Sequence, residues 1–168
     1  ASRIQSSLIP AESEFVNGFD DGFVILKPKD IVSGDFYWYH SRNNKHYIAA
    51  VDCTGHGVPG ALISILGYNS LNQAINDHNL VHPSDILNYL NKSVSSVFNH
   101  SERSTVRDGM DISLCCVDYN EMKVEYAGAF NPLYYFSNGV FKKIKGNRFP
   151  VGSYHGSDNK VFINHEIN

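Results

Sequence analysis

The feature that most constrains this chain is the run YIAAVDCTGHGVPGALISILG, residues 47–67. Its first part, within NKHYIAAVD, is almost continuously apolar and ends on Asp52. A strand of that composition is expected to be buried on both faces. Gly55, Gly57 and Gly60 follow, and apolar residues then recur at Val58, Ala61, Leu62, Ile65 and Leu66. That spacing is helical, and Pro59 suits a first helical turn. The run is therefore a strand, a tight turn and a helix. A carboxylate at the end of a buried strand costs free energy unless it is paired, hydrogen-bonded or metal-bound. The residues alone leave two readings open. Asp52 caps a turn, as acids often do, or it belongs to a site made of a carboxylate and exposed backbone.

The rest of the chain sets the frame for that unit. At 168 residues it fits one domain with a sizeable core. Hydrophobic residues make up 42% and charged residues 18%, which argues against disorder. A net charge of −3 gives no electrostatic reason to expect nucleic acid or an anionic membrane surface as partner. No apolar run reaches the ~18 residues of a membrane span, and no secretory signal is visible. The chain does not start with Met, and it is expected to be cut from a longer protein. Cys53, Cys115 and Cys116 are odd in number and lack metal-binding CxxC spacing, so reduced cytoplasmic thiols are expected.

SRIQSSLIP, residues 2–10, reads as a helical end stopped before Pro10. GFVILKPKDIVSGDFYWYHSR predicts a short strand, a loop through Pro28 and Gly34, and an aromatic-rich strand. HPSDILNYLNKSVSSVF predicts a second helix with Ile86, Leu87, Leu90, Val94, Val97 and Phe98 on one face and Ser84 or Asp85 as cap. The polar HSERSTVRDG reads as a loop. Strands follow in ISLCCVDY, MKVEYAG, PLYYF, VFKKI and KVFINHEI, with DYNE and Ser137-Asn138-Gly139 as hairpin turns. Strands, two consecutive helices and more strands are not the alternation of a doubly wound parallel sheet. They predict an α+β fold of antiparallel sheets with helices laid across them.

Asp35 and Asp52 both sit where a strand meets glycine-rich backbone. Carboxylate oxygens are natural ligands for hard cations such as Mg²⁺ and Mn²⁺. TGHGVPG lacks the lysine and spacing of a phosphate-binding P-loop, although its amides could meet an anion at the helix start. His56 in that loop is a candidate substrate-side donor, against the plain reading of a solvated loop histidine. Cys53 has no evident base partner and is a poor candidate nucleophile. Asp108 and Asp111, in RDGMDIS, are read first as loop-end residues. The aromatic group Phe36 to Tyr39 is read as core and sheet surface rather than a ligand cage.

Five segments, LKPKDIVSGDFYWY, VDCTGHGVPGALISILG, DGMDISLCCVD, YAGAFNPLYYF and GNRFPVG, occur in the order and spacing of one family. From about Gln5 to Gly152 the chain resembles the PPM-type (type 2C-like) serine/threonine phosphatase domain of the stage II sporulation protein E class. The resemblance implies a sandwich of two antiparallel sheets flanked by helices. It implies residues 1–9 as the end of a regulatory linker helix and 10–168 as the phosphatase domain, incomplete at its C-terminus because a late metal-binding acid motif is not reached. It further implies two divalent ions, Mn²⁺ or Mg²⁺, sharing a water that attacks the phosphorus of phosphoserine or phosphothreonine. By the same resemblance Asp52 bridges the metals, Cys53 supplies its backbone carbonyl, and Asp35 supports the metals directly or through water. Asp111 matches no secure ligand and stays outside the metal set.

The implied partners are a phosphoprotein substrate, such as an anti-sigma-factor antagonist, and an upstream sensor or repeat domain in a bacterial signalling protein. The domain itself is expected in the cytoplasm without direct membrane insertion, whether or not its parent is membrane-anchored. The alternative expectation is a catalytically weak or inactive module that keeps the fold for regulation or interaction.

Overall fold

The computed structural model describes residues 10, 14–15, 18–28, 30–98, 109–152 and 160–167. The expected helical end at 2–9, most of the polar loop at 100–109, and Asp108 lie outside them. Eight strands and two helices are described: β1 (Phe36–Arg42), β2 (Lys45–Cys53), α1 (Gly57–Asn76), α2 (Pro83–Phe98), β3 (Gly109–Asp118), β4 (Lys123–Ala129), β5 (Leu133–Ser137), β6 (Val140–Ile144), β7 (Val151–Gly152) and β8 (His165–Ile167). The main sheet runs β1-β2-β3-β4-β8, with β7 on the first residues of β3, and β5-β6 form a second, two-stranded sheet. All strand pairs are antiparallel, as the order of elements predicts.

The turns explain the register. Asn43 and Asn44, both with positive φ, close the β1-β2 hairpin, and Asn138-Gly139 close β5-β6. Two left-handed residues in succession twist a hairpin in the same sense as its strands. In the DYNE turn the Asp118 carboxylate accepts the amides of Asn120 and Glu121 while pairing with Lys45.

The two helices cover one face of the sheet. Trp38, Tyr47, Val51, Met110, Ile112 and Leu114 point into this core, with Leu71 and Ile75 of α1 and Ile86, Leu87, Leu90 and Val94 of α2. The Trp38 indole satisfies its N–H on Asn72 Oδ1 at 2.9 Å, as a buried indole must. Phe36 and Trp38 are buried while Tyr37 and Tyr39 take the opposite face, the expected period of two.

Three expectations are corrected. Strand β2 is buried on one face only: Tyr47, Ala49, Val51 and Cys53 face the helices, while Ala50 and Asp52 are exposed. On the other face lies a groove of about 520 Å³, bounded by Phe23–Lys27 and floored by Ile48, Ala50 and Cys115. The Phe23–Lys27 segment alternates in exposure like a strand, yet joins no ladder among the described residues. Helix α2 starts at Pro83, with the His82 carbonyl accepting the amides of Asp85 and Ile86, and Val97 is half exposed rather than part of the core face.

A buried carboxylate ties the far side of the fold together. Glu125 on β4 is 2% exposed and accepts from His82 Nδ1 at 2.8 Å, Asn164 Nδ2 at 3.0 Å and Lys123 Nζ at 3.1 Å. It thereby joins the start of α2 to the segment leading into β8.

Candidate metal centre

Three acids meet at one end of the main sheet, each delivered by a different strand. Asp52 is the penultimate residue of β2, and the antiparallel register sets Asp111 of β3 directly opposite it. Residues directly opposite in such a pair share a face. Asp35 immediately precedes β1, whose first residue pairs with Val51, and its carboxyl hydrogen-bonds that of Asp52.

Glycines let the two loops approach this closely. A Cβ on Gly34 would lie 2.9 Å from the Gly55 carbonyl oxygen and 3.1 Å from that of Cys53. The Cys53 carbonyl thus packs against the residue just before Asp35. Gly55 and Gly57 adopt φ of +86° and +64°, conformations open to glycine at little cost. The Asp35 amide donates to Ser33 Oγ. Thr54 exchanges two bonds with Gly109, its amide donating to the Gly109 carbonyl and its hydroxyl accepting the Gly109 amide. The loop after β2 is therefore fastened to both neighbouring strands.

The electrostatics follow from that crowding. Partial burial, and then the neighbouring Asp52, push Asp35 above the usual aspartate range. The same two causes, in the same order, raise Asp111. Burial, followed by Asp35 and Asp52, raises the Cys53 thiol as well. Cys53 therefore stays protonated, its side chain buried, and only its backbone carbonyl is open to a site role.

His56 is exposed at the N-cap of α1, makes no side-chain cap bond, and pairs through Nδ1 with Asp30 Oδ2 at 3.0 Å. The first turn of α1 carries no acid. Among the described residues no three His, Cys, Asp or Glu side chains form a ready cation cage. The donors at hand are nonetheless hard oxygens, the kind that Mg²⁺ and Mn²⁺ take together with waters. Asp35 and Asp52 are thus brought together, whereas Asp111 and Asp30 were not singled out from the sequence for this end of the sheet. Asp111 had one signal, its place at the start of a buried strand. Asp30 had none.

The family description of Stage II sporulation protein E (SpoIIE) matches residues 42–163. The chain belongs to the SpoIIE family. Phosphoserine phosphatase RsbU of Bacillus subtilis (strain 168) is 27% identical over 173 residues, a match covering 98% of this chain and 48% of RsbU. The chain thus spans about half the length of that curated relative. The solved SiaA-PP2C domain of Pseudomonas aeruginosa superposes with a TM-score of 0.82 at 31% identity, covering 99% of this chain and 63% of that one. The PP2C phosphatase domain of SpoIIE from Bacillus subtilis shares the fold, with a TM-score of 0.62 at 17% identity over 82% of this chain and 39% of that one. The antiparallel sheets with two helices are therefore the fold of this family. No helix among the described residues is long and apolar enough to cross a membrane.

Crowded acids have a cost that can be measured without metal. Asp35→Asn is expected to raise the melting temperature of the metal-free SpoIIE-family domain at neutral pH. A carboxyl whose folded-state pKa is raised contributes stability below its ordinary value, and that contribution is lost as pH rises through the folded-state value. The gain from the variant should therefore shrink to nothing as the pH falls below the ordinary aspartate value of 3.8. Thermal melts across that range decide the matter, and a gain undiminished in acid would refute the electrostatic cause.

Proposed function

We propose that this chain is a metal-dependent protein phosphatase that hydrolyses phosphoserine or phosphothreonine in a bacterial signalling protein. The observation carrying this reading is the hydrogen-bonded pair Asp35–Asp52 at the strand ends, with Asp111 in register beside it. Like charges kept this close call for a shared proton or a divalent cation. Their relatives RsbU and SiaA carry phosphatase names, which supports the cation.

Asp52, placed between the other two acids, would hold both cations, Mn²⁺ or Mg²⁺. Asp35 would support them, the Cys53 carbonyl would complete the inner face, and Asp111 joins the set by its register. Bound there, the cations supply charge stabilisation and an activated water at neutral pH. The chain's own residues then orient the phosphate. The first turn of α1 offers amides and a positive helix end with no competing acid. His56, steadied by Asp30, can donate to a phosphate oxygen from the same side.

The substrate would be a phosphoprotein of the anti-sigma-factor-antagonist kind, with an upstream sensor or repeat domain in the parent chain, acting in the cytoplasm. A second reading, a catalytically silent phosphatase-fold module, is favoured by the lack of a ready cage among the described residues. Phosphate release from a phosphoserine peptide separates the two. The first requires release that EDTA stops and added Mn²⁺ restores. No release, with no heat on calorimetric titration with Mn²⁺, would leave the second.

A further inference from the structure

The outward side of α1 changes character along its length. Near the acids it shows Val58 and Leu62, 58% and 63% exposed and one turn apart. Further along, the exposed positions are Asn69, Gln73 and Asn76. A third apolar side chain joins the first two. Ile31 is 87% exposed, and its neighbour Asp30 is bonded to His56 and lies 3.8 Å from the Cβ position of Gly57. Ile31, Val58 and Leu62 thus flank the first turn of α1 at the rim of the acid cluster. Large apolar side chains grouped in water mark a contact surface more often than chance.

The size and place of this ledge narrow its occupant. A stable dimer needs ~800 Å² from each partner, far more than three side chains present, and the polar stretch from Asn69 onward gives no continuation along the helix. A contact made only beside the reacting group fits a short, transient engagement.

We propose that the Ile31–Val58–Leu62 ledge seats an apolar side chain adjacent to the phosphorylated residue of a protein substrate, and so selects which phosphoprotein the site accepts. This rests on the phosphatase reading above. Electrostatics at the acids would handle the phosphate, which every phosphoprotein carries, and the ledge would read the residue beside it. A well-placed apolar contact is worth roughly tenfold or more in kcat/KM.

The test uses two phosphoserine peptides identical except for leucine or glutamine flanking the phosphoserine, with Mn²⁺ present. The wild-type chain should favour the leucine peptide by ~10-fold in kcat/KM. The double variant Ile31→Gln, Leu62→Gln should bring the ratio near one by losing only on the leucine peptide. Both positions are exposed, so circular dichroism melts should match the wild type. Parity in the wild type, or a preference that survives in the double variant, overturns the proposal. If the wild type cleaves neither peptide nor p-nitrophenyl phosphate, the phosphatase reading fails and fluorescence anisotropy with the same labelled peptides judges the ledge alone. Tighter binding of the leucine peptide, lost in the double variant, upholds it; equal binding overturns it. Sedimentation showing a wild-type dimer that the double variant dissolves would assign the ledge to a second copy and also overturn it.

Discussion

Asp52→Asn is expected to abolish Mn²⁺-dependent phosphate release, lowering kcat/KM by on the order of a thousandfold. That factor corresponds to about 4 kcal/mol of lost transition-state stabilisation, within what a bound cation supplies. Asparagine keeps the shape of the side chain and one oxygen but removes the charge that lies between Asp35 and Asp111. The fold should not suffer, because Asp52 is exposed and the buried face of β2 is untouched. Relief of like-charge crowding should instead raise the melting temperature of the metal-free chain slightly. Calorimetry should show weakened Mn²⁺ binding in the same variant. The companion variant Cys53→Ala should keep the activity, since that thiol is buried and protonated and only its backbone carbonyl is assigned a role. Full turnover in Asp52→Asn would remove the basis of the metal centre.

The sequence carried the parts of this fold that local chemistry controls. Asn138-Gly139 announced the β5-β6 hairpin, and the helical spacing of Val58 to Leu66 announced α1. The one-sided burial of β2 was not legible, because an apolar composition does not say how many faces a fold will cover. Ala50 and Ile48 look as buried as Ala49 in the sequence, yet they floor an open groove. At the site, Asp35 and Asp52 stood out through their glycines. Asp111 did not, because its place opposite Asp52 depends on the register of strands separated by two helices. Asp30 reached His56 through a loop conformation with no sequence signature. Long-range pairing, not residue chemistry, was the missing information.

The largest stability effect is expected far from the acids, at Glu125→Ala. Its carboxylate is buried and accepts from His82, Asn164 and Lys123. Removing one member of a buried ion pair costs ~3–5 kcal/mol. Lys123 also reaches Glu121 and His82 is half exposed, so both can be partly re-solvated, which places the expected loss at the lower end, about 3 kcal/mol. The loss should appear as a lower urea midpoint with an unchanged slope. Hydrogen exchange should speed up most in β8, because Asn164 ties the approach to that strand onto Glu125, and β8 pairs only with β4 among the described residues. The pH dependence gives a second reading of the same network. Burial alone would raise Glu125, but the bonds from His82, Asn164 and Lys123 outweigh it and hold the group below the ordinary glutamate value of 4.5. A depressed carboxylate contributes stability above its ordinary value and loses it as the pH falls through the folded-state value. The gap between wild type and Glu125→Ala should therefore be full at neutral pH and close progressively in acid below the ordinary glutamate range. A gap that stays constant from neutral pH into strong acid would mean that Glu125 acts through packing, and that its charge holds nothing together.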